Sequence, residues 1–122
     1  MATVELTQEN FEQTVNDNAM VLVDFWAPWC GPCKGFALVY EQASEAHPEI
    51  LFAKVNTDEQ QELAGSFGIR SIPTLLVFRE KVILFQQAGA LPGAALEQVI
   101  SQAQALDMAK VHSEVSAQAQ QK

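Results

Sequence analysis

Residues 20–26 read MVLVDFW, apolar at every position but one. A run this rich in β-branched and aromatic residues predicts a strand buried on both faces. Residues 50–55, ILFAKV, predict a second. Elsewhere the apolar positions recur at threes and fours, the period of a helix with one buried face. Phe11 and Val15 mark a first helix, with Thr7 as its cap and Glu9 in its first turn. Phe36, Val39, Tyr40, Ala43 and His47 mark a helix over 34–47, ended by Pro48. Asp58 and Gln61 resemble a capping pair for a short third helix that Gly68 closes. Thr74–Phe78 and Val82–Gln87 read as strands of a hairpin through Arg79, Glu80 and Lys81. Its turn has no glycine to take a positive φ, so a turn other than the usual two-residue type is expected. Pro92 and Gly93 open a last helix carrying Leu96, Val99, Ile100, Ala103 and Leu106.

Strands alternating with helices give parallel pairs, and the late hairpin adds an antiparallel one. The fold class is therefore α/β, a central mixed sheet with helices on both faces. At 122 residues, 48% of them hydrophobic, the chain has enough apolar material for one domain with a real core. That domain is expected over 1–106. Met108, Val111 and Val115 suggest that 107–122 weakly continues the last helix, and the terminal SAQAQQK is expected to fray.

Charge narrows the function. The net charge is −8 and the isoelectric point about 4.5. Nucleic-acid binding needs a basic patch, so it is not expected. No segment approaches the roughly 18 apolar residues of a membrane helix. The N-terminus, MATVELTQENF, lacks the basic and then apolar regions of a signal peptide. A soluble cytoplasmic monomer is expected.

The chain has two cysteines, Cys30 and Cys33, separated by Gly31 and Pro32. A bridge closing so short a loop constrains little of the unfolded chain, so the pair points to chemistry rather than architecture. A strand ends just before it and a helix begins with it. Cys30 then sits at a helix N-terminus, where free N–H groups and the helix dipole favour a thiolate. Pro32 suits a first turn, having no N–H to leave unpaired. Gly31 permits a tight turn and leaves one side of Cys30 open. Cys33, one turn in, is expected to be the more buried. The implied reaction is thiol–disulfide exchange. The alternatives are two cysteines adjacent by chance and half of a zinc site. Zinc needs about four ligands, and only His47 and His112 remain as nitrogen donors, at no suitable spacing. No metal is expected, and each histidine reads as a surface or helix-end residue.

WCGPCK, preceded by VDFWAPW and followed by SIPT at 71–74 and GA at 89–90, resembles the thioredoxin family from about residue 5 to about residue 105. A lowered thiol pKa is a known property of that family, not a result from this chain. The resemblance implies a protein disulfide reductase without a cofactor beyond the cysteine pair, recharged by a thioredoxin reductase and serving disulfide-containing clients. It makes Cys30 the nucleophile and Cys33 the resolving thiol, with Gly31 and Pro32 tuning the potential. Pro73 matches a cis proline facing the disulfide. Trp29, Ile72, Pro73, Gly89 and Ala90 match a shallow groove for an extended client chain. Asp24, which alternation puts on the same side as Trp26, matches a buried aspartate behind the second cysteine. Burial raises a carboxyl pKa, so such a group can accept the proton of Cys33. Lys54 matches a lysine that tunes it. The competing account of Asp24 is a carboxylate satisfied by backbone donors at a strand end.

Two positions depart from the family pattern. Leu38 stands where a helix-kinking proline is common, and Gly35 lies one turn before it. A straighter or looser helix is expected. Two other functions stay open: a specialised redox carrier with a narrow client, and a binding module or co-chaperone that keeps the fold without the redox chemistry.

Overall fold

The computed structural model describes residues 2–120. Five strands form one mixed sheet in the order β1-β3-β2-β4-β5. They are β1 (Thr3–Glu5), β2 (Met20–Trp26), β3 (Leu51–Asn56), β4 (Thr74–Arg79) and β5 (Val82–Ala88). β3 runs parallel to β1 and β2. β4 is antiparallel to β2 and to β5. The helices are α1 (Phe11–Asp17), α2 (Gly31–Ala46), α3 (Gln61–Ser66), α4 (Gly93–Ala105) and α5 (Met108–Gln120).

Alternation along β2 sorts the core into two layers. Val21, Val23 and Phe25 pack with Phe11 and Val15 of α1 and Leu63 and Ala64 of α3. Met20 and Leu22 pack on the opposite face with Phe36, Tyr40 and Ala43 of α2 and Leu96 and Ile100 of α4. Two helices thus cover each face. Phe67, just past α3, has its ring centroid 5.2 Å from that of Phe11 and 6.0 Å from those of Phe25 and Phe78. Tyr40 is fully buried on the other face, and its hydroxyl donates to the Ala53 carbonyl at 2.8 Å.

Several local expectations are corrected. Thr7 does not cap α1: the helix starts at Phe11 behind Asn10, with no side-chain cap. The Thr7 carbonyl accepts from Phe11 N instead, and Asn10 Oδ1 accepts from Thr7 N, which makes residues 7–10 a turn. Nor does Asp58 cap α3. Asn56 Oδ1 takes the N–H groups of Asp58 and Glu59, and the helix starts only at Gln61. Gly68 does follow α3 with φ +67°. The hairpin turn is the type that was not expected. Glu80 (φ 50°) and Lys81 (φ 72°) both take left-handed conformations without glycine. The right-handed twist of β4 and β5 favours that turn strongly enough to override side-chain preference. α2 begins three residues earlier than the apolar period alone indicates and runs unbroken past Leu38 to Ala46.

Residues beyond 106 do not continue α4. Leu106 is extended (ψ 141°), and α5 restarts with Asp107 Oδ1 accepting from Ala109 N and Lys110 N. Arg79 Nη1 donates to the carbonyls of Ala103, Gln104 and Leu106, so the end of α4 is closed by a cation from the sheet. Met108 is buried, and His112 Nε2 meets Glu80 Oε1 at 2.9 Å. Of the segment expected to fray, 116–120 is helical, and Gln121 and Lys122 lie outside the described residues. His47 is at the C-terminus of α2, held by Glu97 at 2.7 Å and Glu49 at 3.3 Å.

Candidate active site

The site forms where β2 and β3 end and α2 and β4 begin. After Trp26 the chain leaves the sheet through Ala27, and Cys30 N donates to Ala27 O at 3.2 Å, closing a turn. Cys30 is the N-cap of α2 in an extended conformation, with Pro32 in the first turn. Cys30 and Cys33 are joined as a disulfide, their Cα atoms 5.3 Å apart. Cys33 N lies 3.2 Å from Cys30 Sγ, so a backbone N–H of the helix points at that sulfur. This is the arrangement that stabilises negative charge on a thiolate once the bond is reduced.

The cysteines do not differ in burial as expected. Cys30 is 4% exposed and Cys33 3%, because both pack with Ala27, Trp26 and Ile72. Gly31 and Pro32 beside them are exposed. Ile72 joins Pro73 through a cis peptide bond, and its carbonyl oxygen is 3.8 Å from Cys30 Sγ. Pro73 is buried, and its carbonyl accepts from Gly89 N at 2.7 Å. Gly89 has φ +101°, a conformation that a side chain would strain. Gly89 and Ala90 are exposed at the end of β5. The structure thus ties the Ile72–Pro73 loop both to Cys30 and to Gly89. Trp29 is 69% exposed, and its Nε1 donates to both oxygens of Asp58 at 3.1–3.2 Å. The sequence reading missed that partnership, having assigned Asp58 to a helix cap.

Asp24 is fully buried, and neither carboxyl oxygen has a hydrogen-bond partner. Satisfaction by backbone donors is therefore ruled out. It points to the same face as Leu22, the face that α2 covers with Cys33, Phe36 and Tyr40. Burial pushes the Asp24 carboxyl from its ordinary 3.8 up to about 7, with Lys54 opposing the shift and Glu5 adding to it. Lys54 pairs with Asp24 across β3 and β2, and its Nζ lies 4.7 Å from the centre of the Trp26 ring. A cavity of about 300 Å³, lined by Trp26, Cys33, Ala37 and Lys54 among others, opens between β3 and α2. Trp26 Nε1 is likewise buried, with the Glu5 carboxylate within its reach. The same burial, with the Asp24 charge added, raises the Tyr40 hydroxyl well above its ordinary pKa.

Among the described residues no group of three His, Cys, Asp or Glu side chains gathers as a metal site. The histidines are engaged with Glu49, Glu97 and Glu80. Among those residues, too, no helix is long and apolar enough to cross a membrane.

The profile of one protein family, Thioredoxin, matches residues 2–102. The chain belongs to the thioredoxin family. It is 61% identical over 117 residues to a Streptomyces coelicolor protein named as a second thioredoxin, covering 96% of this chain and 87% of the relative. It is 40% identical to the thioredoxin of Bacillus subtilis, over 83% of this chain and 97% of that one. Among solved structures, a mutant thioredoxin from Halobacterium salinarum superposes with a TM-score of 0.80 at 32% identity, over 86% of this chain and 93% of that chain. Plasmodium falciparum thioredoxin gives 0.76 at 35% identity, over 82% and 97%. The α/β fold read from the sequence is the fold of these proteins. The chain is a thiol–disulfide oxidoreductase of this family, working by dithiol–disulfide exchange through the Cys30–Cys33 pair.

Proposed function

We propose that the chain is a general protein disulfide reductase in which Cys30 attacks, Cys33 resolves and Asp24 takes the proton that Cys33 must lose. The observation that carries this reading is the N-cap position of Cys30 over the first N–H groups of α2, with an unsatisfied carboxyl on the sheet face beneath that helix. The reduced Cys30 thiolate attacks one sulfur of a client disulfide. A Cys30–client bond forms, the client bond breaks, and the first client sulfur leaves as a thiolate that picks up a proton. Asp24 accepts the Cys33 proton. The Cys33 thiolate attacks Cys30 Sγ, the Cys30–Cys33 bond forms, and the second client thiolate departs. Two electrons pass to the client.

Asp24 suits this part because a carboxyl near pH 7 exchanges protons in both directions at neutral pH. Lys54 tunes it across the strand pair. Gly31 and Pro32, exposed beside the buried Cys30, set the redox potential. Trp29, Ile72, Pro73, Gly89 and Ala90 form the groove in which an extended client chain lies, with the Ile72 carbonyl beside the reacting sulfur. No cofactor takes part beyond the cysteine pair. A thioredoxin reductase returns the disulfide to the dithiol, and the protein acts as a cytoplasmic monomer.

Insulin reduction driven by NADPH and thioredoxin reductase tests the reading. Rapid turnover that Cys30→Ser abolishes is expected, and Cys33→Ser should accumulate mixed disulfides with the client. Failure of the unaltered protein to reduce insulin while its Cys30 reacts with small disulfides would replace the general reductase by a carrier with a narrow client.

A further inference from the structure

Three ionisable side chains stand in one row across the sheet. The register pairs Glu5 of β1 with Lys54 of β3, and Lys54 with Asp24 of β2. Paired residues on adjacent strands share a face, so all three point toward α2. The outer member, Glu5, is exposed and the inner member, Asp24, is fully buried. Lys54 between them is half-buried over the Trp26 ring. The Lys54 ammonium forms no close ion pair with either carboxylate among the described residues, yet its charge attracts both.

We propose that Glu5 is a positioning residue for the exchange reaction: by competing for Lys54 from the far side of the row, it controls how readily Asp24 takes the Cys33 proton. This rests on the role of Asp24 proposed above. Two strand spacings put Glu5 roughly 10 Å from Asp24, and because Asp24 is fully buried and Lys54 half-buried its charge is felt there. Glu5 acts on Asp24 in two ways with the same sign. It repels the developing carboxylate, and it draws on the same Lys54 charge that would steady that carboxylate. The other charged and titratable groups around the row are Glu59, which follows β3, and Cys33, Lys34, Tyr40 and Glu41 on α2. Glu41 is held by Thr3 Oγ1 of β1. None of these shares the cross-strand row with Lys54.

The test compares the unaltered protein with Glu5→Gln, Glu5→Asp and Asp24→Asn. Two quantities are followed between pH 5 and 9: the titration of the Asp24 carboxyl by carbon NMR, and the single-turnover rate of mixed-disulfide release. Glu5→Gln is expected to move the carboxyl titration and the inflection of the release profile together to lower pH, by roughly 0.5–1 pH unit. Glu5→Asp, which keeps the charge, should restore most of the original profile. Coincident Asp24 titrations in Glu5→Gln and the unaltered protein would overturn the proposal alone, provided Asp24→Asn changes the release profile. A release profile indifferent to Asp24→Asn would overturn the role of Asp24, and that of Glu5 with it.

Discussion

Replacing Asp24 by asparagine should stabilise the protein in a way that depends on pH, and the size follows from the site. In the folded chain the carboxyl titrates at about 7 instead of 3.8, because burial disfavours its charged form. Below pH 3.8 both the folded and the unfolded chain carry a protonated Asp24, and the residue has no pH-linked effect. As pH rises the unfolded chain ionises first, while the folded chain keeps its proton. Folding is then opposed increasingly up to about pH 7, and the penalty stays constant above it. The interval between the two values, at ~1.4 kcal/mol per pH unit, amounts to about 4 kcal/mol. Asparagine does not titrate. Its buried amide adds a cost that is the same at every pH, so the pH dependence of the difference between the proteins isolates the carboxyl. The assay is guanidinium unfolding of both oxidised proteins at intervals from pH 4 to 8.5. Relative to the unaltered protein, Asp24→Asn should gain about 4 kcal/mol between the two ends of the range. A difference constant to within about 1 kcal/mol would refute the claim that burial lifts the Asp24 carboxyl to about 7.

Other outcomes are open to equally direct measurement. Tyr40→Phe removes a buried donor to the Ala53 carbonyl and should cost about 1–3 kcal/mol in chemical denaturation, at any pH well below the tyrosine titration. Lys81→Gly places a glycine at φ 72° and should stabilise the hairpin by about 1 kcal/mol, seen as a higher melting temperature. Deletion of 107–122 removes α5 and its His112–Glu80 contact and should leave the insulin reduction rate unchanged, since the cysteines lie at the other end of the sheet.

The legible parts of this fold were those that repetition announces. β2 is bounded at Met20 and Trp26 as its apolar run indicates, and the helical periods of α2 and α4 name the residues that fill one core layer. The cysteine pair was legible because its chemistry is local: two thiols, a turn and a helix start are all written within five residues. What escaped depends on partners distant in sequence. Asp58 is claimed by Trp29, 29 residues away, rather than by the helix it precedes. Arg79 closes α4 from 24 residues back. The break at Leu106 hides in a sequence whose apolar spacing runs straight through it, because Asp107 starts a new helix without disturbing the period. The left-handed Glu80 and Lys81 show strand twist outweighing local preference, which no residue-by-residue reading anticipates. The row from Glu5 to Asp24 needed the register of three strands before it existed at all.

The attachment of α5 has a consequence for how this molecule is carried. β2 enters the sheet beside Arg79 and Glu80 and leaves it toward the cysteines. Seven residues of strand, about 20 Å, separate the two ends. The C-terminal helix is moored at the first end, by Met108 in the core and His112 on Glu80. The first turns of that helix are therefore fastened at the stern while the disulfide rides at the bow. A surface or label coupled to these first turns, at exposed Ala109 or Lys110, therefore sits about a strand's length from the reacting sulfurs.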